Sequence, residues 1–158
     1  MLPMVTIPAE LEAARRMLAD EAQALALAGI PVRTPELGIM VEVPAAAIAI
    51  DRFEAAFFSI GSNDLTQYVT AAGRDIGDVA ELSDTLNPAV LRLIAGIAAH
   101  GRSTGIPVSL CGDAGSDPAA LPHLLAAGLR TVSVPPARLA QTKAEIGKID
   151  LSSLKAPS

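Results

Sequence analysis

Short apolar runs alternate with longer alanine-rich segments along the chain. The short runs have the length of strands, whereas the longer segments place apolar residues at helical spacing and are bounded by proline and glycine. The runs that predict strands are 2–5, 37–43, 57–61, 107–111 and 130–134. The segments that predict helices are 8–28, 45–55, 62–73, 87–105, 118–127 and 136–146. The pattern therefore predicts an α/β protein.

Strands and helices alternate without any hairpin signal between neighbouring strands. This order predicts parallel (β/α) units, because parallel strands need a long crossover that is usually a helix. Two arrangements remain open at this point: a doubly wound sheet, or part of an eight-stranded (β/α) barrel. The lack of a glycine-rich dinucleotide fingerprint favours the barrel without excluding the sheet.

Composition narrows the class of protein. The formal net charge of −5 argues against a nucleic-acid-binding surface. No apolar run approaches the roughly 20 residues of a membrane-spanning helix, so we expect no membrane insertion. Cys111 is the single cysteine, and the chain begins without a signal peptide, which together favour a reducing cytoplasm. Hydrophobic residues make up 51% of the chain, which predicts apolar surface covered by further chain or by a partner.

Polar residues stand where the predicted strands end. Glu42 lies at the end of the second strand, Asn63 and Asp64 follow the third, and Cys111 closes the fourth. The carboxyl ends of parallel strands share one face, so we expect these side chains to converge there. Two carboxylates suit Mg²⁺, and an amide with the nearby Arg74 suits a phosphate ester. The residues alone thus predict a magnesium-dependent site for a phosphorylated or carboxylated small molecule.

Each of these residues also has a simpler interpretation. Asn63 and Asp64, together with Ser62, are typical helix caps. Cys111 could be a small core residue, and Arg74 could be an ordinary solvated arginine near a helix end. Glu42 is the hardest to explain by packing, because an unpaired buried carboxylate is costly.

Several motifs resemble a known family. They are GIMVEVPAAA (38–47), FFSIGSNDLTQY (57–68), NPAVLRLI (87–94) and the Cys-Gly-Asp that follows PVSL. In this order they resemble the phosphoenolpyruvate-binding barrel of enzyme I, the phosphoenolpyruvate–protein phosphotransferase of the bacterial sugar phosphotransferase system. The resemblance covers residues 1–146 and leaves 147–158 as a C-terminal tail. Pyruvate phosphate dikinase and phosphoenolpyruvate synthase share this barrel and similar motifs.

The resemblance implies a role for each candidate residue. Glu42 and Asp64 would bind Mg²⁺, Asn63 would contact the phosphoryl group partly through its backbone amide, and Arg74 would neutralise phosphate charge. Cys111 would exchange a proton at the methylene carbon of enolpyruvate, since thiols as a class ionise closer to neutral pH than hydroxyls do.

The implied partners are phosphoenolpyruvate or pyruvate and a histidine-bearing phosphocarrier protein, reached through the full-length enzyme. The phosphoryl group would pass in line to a histidine on a separate domain. The implied process is the uptake and phosphorylation of sugars, and the family's barrel is also its dimerisation domain.

The sequence departs from the family pattern in three places. Gly73 stands where the family commonly has Asp, and 113–117 replaces a more usual Glu-x-Ala-Gly-Asp. The run 2–5 resembles the fourth strand of the family barrel, so the chain corresponds to about strands four to eight of the eight. We therefore expect a partial TIM barrel that self-associates, as a homodimer or larger assembly, and that is inactive by itself. The alternatives are a non-catalytic dimerisation or ligand-sensing remnant and a fragment of a dikinase or synthase.

Overall fold

A three-stranded parallel sheet with helices packed on it forms the body of the protein. The computed structural model describes residues 1–73 and 76–154, with the backbone alone for Ser153. The strands are β1 (Ile39–Val41), β2 (Phe58–Gly61) and β3 (Val108–Cys111). The helices are α1 (Pro8–Leu27), α2 (Pro44–Ile48), α3 (Ser62–Thr70), α4 (Pro88–Thr104), α5 (Leu121–Ala126) and α6 (Pro136–Ile146). The predicted α/β class is confirmed.

The strands lie in the sheet in the order in which they occur in the chain. β1 pairs with β2, and β2 pairs with β3, both in parallel. The register places Ile39 beside Phe58, and Gly61 beside Cys111. Since helices connect the neighbouring strands, the prediction of parallel pairing through helical crossovers is confirmed.

The prediction of strands at 2–5 and 130–134, the two outermost in the sheet, is wrong. Each is reduced to one parallel bridge, Leu2 with Ile39 and Val132 with Leu110. Pro3 has no amide N–H to extend the first ladder, and Met4 turns the chain away with φ of 55°. After Val132 the chain soon reaches two prolines, and the second begins α6. Both segments nevertheless continue the sheet order on its two edges.

Other predicted boundaries also shift. The strand predicted at 37–43 is limited to Ile39–Val41. The helix predicted at 45–55 is split into α2 and a 3-10 turn, Ile50–Arg52. Residues three apart eclipse one another in a 3-10 turn, and this brings both Ile50 and Phe53 into the core.

Near the carboxyl end, α5 begins at Leu121 instead of 118. The side chain of Asp117 accepts a hydrogen bond from the backbone N–H of Ala119 at 2.9 Å. This contact forms a turn that precedes the helix. Part of the predicted C-terminal tail, Leu151–Ser153, forms a 3-10 turn against α5.

The main core lies between one face of the sheet and the helices. Fully buried residues of that face are Ile39, Val41, Phe58, Ile60 and Leu110, and α4 adds Val90, Ile94 and Ile97. Each such side chain contributes about 1.5–3 kcal/mol relative to leaving it exposed. Alternate residues point to the other face, which carries Met40, Ser59, Ser109 and Cys111. The sheet therefore has one apolar, helix-covered face and one more polar face.

Helix α1 is less integrated than the others. Leu11 is its one buried residue over the 20 residues from Pro8 to Leu27. Arg15 ties the helix down, since its guanidinium pairs with Glu12 at 2.6 Å and donates to the backbone carbonyl of Glu54. Among the helices formed by residues 1–73 and 76–154, none combines the length and the apolar character needed to span a membrane.

Candidate functional site

The carboxyl ends of the three strands bring the predicted site residues together. Glu42 directly follows β1, and Gly61 and Cys111 end β2 and β3 side by side. Asp64 lies in the first turn of α3, immediately after β2. The strand register thus places Glu42, Asp64 and Cys111 at the same end of the sheet.

Glu42 is buried, with 3% of its surface exposed. One carboxylate oxygen, Oε1, accepts a hydrogen bond from the backbone N–H of Met4 at 2.7 Å. The other, Oε2, lies only 2.6 Å from the position that a Cβ would occupy on Gly61. The carboxylate is therefore held against the end of β2, and the Met4 amide offsets part of the cost of its burial.

The start of α3 has no side-chain cap. Its N-cap is Gly61, so the interpretation of Ser62, Asn63 and Asp64 as capping residues is wrong. These three residues form the first turn instead, where backbone N–H groups have no partner within the helix. Asp64 is partly exposed, and its carboxylate makes no hydrogen bond or ion pair with another described residue. A helix start of this kind favours anions.

Asn63 is fixed by the turn that follows β3. Its Nδ2 donates to Oδ2 of Asp113 at 3.1 Å, and its Oδ1 accepts from the backbone N–H of Asp113 at 3.1 Å. Both ends of the amide are therefore engaged by one residue. The backbone N–H of Asn63 lies in the first turn of α3, where it has no acceptor within the helix.

Two serines of β2 and α3 position Cys111. The hydroxyl of Ser59 lies 3.7 Å from the Cys111 Sγ, and this thiol also lies 3.5 Å from the carbonyl oxygen of Ile60. Ser62, fully buried, donates to the carbonyl oxygen of Cys111 at 2.8 Å. The half-buried thiol thus has a hydroxyl donor and a carbonyl acceptor beside it.

The turn after Cys111 requires glycine. Gly112 has φ of 100°, a conformation that side-chain-bearing residues rarely adopt. A Cβ there would collide with the hydroxyl of Ser62 and come within 2.8 Å of Oδ1 of Asn63. The close approach of this turn to α3 therefore depends on the missing side chain.

Arg74 is the one predicted site residue that lies outside the described residues. Among residues 1–73 and 76–154, no group of three or more histidine, cysteine or carboxylate side chains is arranged to hold a metal ion. Mg²⁺ is commonly held by one or two carboxylates, with water and substrate phosphates as further ligands. A buried Glu42 and a partly exposed Asp64 at adjacent strand ends fit that kind of site.

Sequence reasoning missed four residues of the site. Ser59, Ser62 and Asp113 position Cys111 and Asn63, and Met4 supplies the hydrogen bond to Glu42. Ser59 alone left a signal, as a polar residue inside an otherwise apolar run. All four contacts join distant parts of the chain, so no local pattern could show which residues they connect.

The family model for the PEP-utilising enzyme, PEP-binding domain, matches residues 1–151. Three relatives share the name phosphoenolpyruvate-protein phosphotransferase. That of Geobacillus stearothermophilus is 41% identical over 152 residues, which is 94% of this chain and 26% of the relative. That of Lactococcus lactis subsp. cremoris is 37% identical over 158 residues, 98% and 28% respectively. That of Haloferax volcanii is 39% identical over 157 residues, which is 98% of this chain and 28% of the relative.

The chain spans little more than a quarter of the length of these relatives. The match nevertheless runs through every strand end described above, from Glu42 to Cys111. The resemblance inferred from the motifs is confirmed. The chain belongs to the PEP-utilising enzyme, PEP-binding domain family.

Proposed function

We propose that this chain is the phosphoenolpyruvate-binding part of an enzyme I-like phosphoenolpyruvate–protein phosphotransferase. The observation that carries the proposal is the placement of Glu42, Asp64 and Cys111 at adjacent strand ends, beside the uncapped start of α3. The name shared by the three relatives supports a phosphotransferase over a dikinase or synthase.

Glu42 and Asp64 would hold Mg²⁺. When bound, this ion would neutralise charge on the phosphoryl group and orient it for transfer. Glu42 supplies a preorganised oxygen, because the Met4 amide and Gly61 fix its carboxylate. Asp64 is more exposed and can adjust to the ligand.

The start of α3 would receive the phosphoryl group. The backbone N–H groups of its first turn lack intrahelical partners and lie at the positive end of the helix dipole. Asn63 contributes its amide N–H, while its side chain holds the turn after β3 in place through Asp113. Arg74 remains the proposed neutralising cation.

Cys111 would exchange the proton at the methylene carbon. Loss of the phosphoryl group from phosphoenolpyruvate leaves enolpyruvate, and protonation of its methylene carbon gives pyruvate. The Cys111 thiol is the proton donor in that step and recovers a proton afterwards. Ser59 beside the sulfur can donate a hydrogen bond to the thiolate, which stabilises it between the two events.

We also propose that the fold is part of a (β/α) barrel, corresponding to about strands four to eight. Two features support this. The parallel segments follow one another in chain order from Leu2 to Val132 without the reversal of a doubly wound sheet. The helices α2, α3 and α4 contact one another and cover the apolar face, which leaves Ser109 and Cys111 on the opposite face, as on a barrel wall.

The whole activity would need regions beyond the matched quarter of the relatives. We propose that the phosphoryl group passes to a histidine on another domain and then to a phosphocarrier protein in cytoplasmic sugar uptake. This stretch expressed by itself should therefore not phosphorylate a carrier from phosphoenolpyruvate. Detectable transfer of labelled phosphate by the 158-residue chain alone would contradict this part of the proposal.

The direct test is calorimetric titration of the chain with Mg²⁺ in the presence of phosphoenolpyruvate. Replacing Asp64 with Ala should weaken Mg²⁺-dependent binding by about tenfold or more, since even supporting residues of metal sites commonly contribute that much. The matched control is Asp20→Ala, which removes an exposed carboxylate from α1 and should leave binding unchanged. Equal affinities in the wild type and Asp64→Ala would overturn the site assignment.

A further inference from the structure

A cavity lies at the opposite end of the strands from the candidate functional site. It has a volume of about 280 Å³ and is lined by the end of α4, the beginning of β3 and the segment that follows α5. Pro107 and Val108 line it, whereas Cys111 ends the same strand at the site described above. A four-residue strand spans roughly 13 Å, so the two sites are separate.

Two arginines define the charge of this cavity. Arg102 and Arg130 both line it, and no acidic residue is among its lining residues. The chain as a whole carries a formal net charge of −5, so a cavity with two cations departs from the general character of the surface. Such a local concentration of positive charge attracts anions.

Backbone carbonyls hold both guanidinium groups in place. Nη1 of Arg102 donates to the carbonyl oxygen of Gly128 at 3.1 Å. Nη1 of Arg130 donates to the carbonyl oxygens of Leu125 and Leu129, at 3.0 and 2.6 Å. Gly128 and Leu129 are consecutive residues, so the two guanidinium groups are anchored at neighbouring points of the turn after α5.

This anchoring uses one nitrogen of each guanidinium group. Nε and Nη2 of Arg102 and Arg130 make no hydrogen bond with a described residue. The arginines thus satisfy carbonyls at the end of α5 and keep further donors for a ligand. Gly128 permits the arrangement, because it has φ of 94° and a Cβ on it would collide with the Arg102 guanidinium.

We propose that this cavity binds a small phosphate monoester, with its phosphate on Arg102 and Arg130 and its carbon body against Ile106 and Pro107. A phosphate monoester carries between about −1.5 and −2 charges at neutral pH, which matches two guanidinium groups. The planar guanidinium fork also fits phosphate oxygens in a bidentate manner. The volume lies near the lower end of ligand pockets, which suits a ligand of a few carbon atoms.

The test uses glycerol phosphate as the probe, with binding followed by amide NMR shifts at low ionic strength. Saturable shifts are expected at Gly105, Gly128 and Leu129. The amides of Gly61 and Asn63, at the other end of the strands, report separately on any binding at the site proposed above. Acetate, which carries a single charge, should bind at least about tenfold more weakly, because it cannot match both cations.

Substitution separates ligand binding from the structural role of the arginines. Arg102→Gln and Arg130→Gln should each weaken glycerol phosphate binding by about tenfold or more. Arg138→Gln, an exposed arginine of α6, is the matched control and should bind as the wild type does. The affinity of each variant is measured only after circular dichroism shows that the chain is folded. If Arg102→Gln does not fold, Arg102→Lys replaces it, because lysine keeps the positive charge.

The proposal fails if glycerol phosphate produces no saturable shifts at Gly105, Gly128 and Leu129. It also fails if the folded glutamine variants bind as tightly as the wild type, or, where Arg102→Gln does not fold, if Arg130→Gln binds as tightly as Arg102→Lys. Acetate binding as tight as that of glycerol phosphate would likewise overturn the assignment to a phosphate monoester.

Discussion

At the scale of single residues, the candidate site depends on a buried carboxylate beside a residue without a side chain. Glu42 is 3% exposed, and Gly61 leaves the space that its Oε2 occupies. A buried charge needs hydrogen-bond partners. Oε1 accepts a hydrogen bond from the backbone N–H of Met4. A cation at this strand end would complete the stabilisation of the carboxylate, which is the physical reason to place Mg²⁺ there.

Gly61→Ala should displace the Glu42 carboxylate. The new methyl group would lie 2.6 Å from Oε2 and 2.9 Å from Cβ of Glu42, so the side chain must move. We expect a loss of stability of about 1–3 kcal/mol, as for other overpacked sites, together with weaker Mg²⁺ binding. Chemical denaturation measures the first effect, and Mg²⁺ titration in the presence of phosphoenolpyruvate measures the second.

Gly96→Ala provides the matched control for that substitution. Gly96 lies within α4, and a Cβ on it would have no neighbour within 4 Å. Alanine there should stabilise the protein by about 0.5–1 kcal/mol, because glycine is unfavourable in a helix interior. Unchanged Mg²⁺ affinity in Gly61→Ala would contradict the role given to the position of the Glu42 carboxylate.

At the scale of elements, the starts of α1 and α3 differ in whether a carboxylate accepts hydrogen bonds from their backbone N–H groups. α3 begins without a side-chain cap. The start of α1, by contrast, has an anionic group within the chain, the carboxylate of Glu10. Glu10, in the first turn of α1, accepts from the backbone N–H groups of Ile7 at 2.9 Å and Thr6 at 2.6 Å. A carboxylate that accepts hydrogen bonds from the backbone at a helix start in this way has a structural role. No side chain caps the start of α3, which is the helix start proposed above to receive the phosphoryl group.

The contribution of Glu10 should depend on pH. Hydrogen bonds from the backbone N–H groups of Ile7 and Thr6 hold the pKa of Glu10 below its ordinary value of 4.5. Its stabilising effect is therefore full above pH 4.5 and is lost as the pH falls through the lowered pKa of the folded state.

Glu10→Gln isolates that effect, because glutamine keeps an acceptor oxygen but carries no charge. We expect faster amide exchange at Thr6 and Ile7 in the variant at neutral pH, and convergence of the two proteins in acid. Glu21→Gln, in the same helix and exposed, serves as the control. A difference between the wild type and Glu10→Gln that persisted unchanged at low pH would exclude the charge as its cause.

At the scale of the whole molecule, the sheet and α1 leave surface to be covered. The edge segments contribute one bridge each, so further backbone groups at both sheet edges are available for pairing. On α1 and just after it, large apolar side chains are exposed, including Met17 at 68% and Leu27 at 83%. Where such side chains form a contiguous patch, they are typical of interaction surfaces.

We therefore expect the chain to self-associate in solution, which sedimentation velocity would detect. Met17→Lys should weaken the association, because it places a charge on the exposed apolar side of α1. The control is Ile48→Lys, which changes a similarly exposed residue on another helix, α2, where Ile48 is 73% exposed. A compact monomer at all concentrations of the wild type would disprove the prediction.

Much of the fold could be predicted from the sequence because the relevant signals are local. Strand-length apolar runs and helical periodicity gave the parallel α/β class, and the strand ends at Glu42, Gly61 and Cys111 followed from it. The prediction of the outer strands failed because the backbone chemistry of Pro3 and Met4, and of the two prolines at the start of α6, limits pairing to one bridge at each edge. Periodicity does not contain that information.

By itself, the sequence determined the family, the class of fold and the residue types available at the strand ends. Only the tertiary structure decided what those residues contact, because the partners lie far apart in the chain. Glu42 and Met4 are 38 positions apart, and Asn63 and Asp113 are 50 positions apart. Folding alone brings such groups to hydrogen-bonding distance, and it also brings Arg102 and Arg130 to one cavity at the other end of the strands.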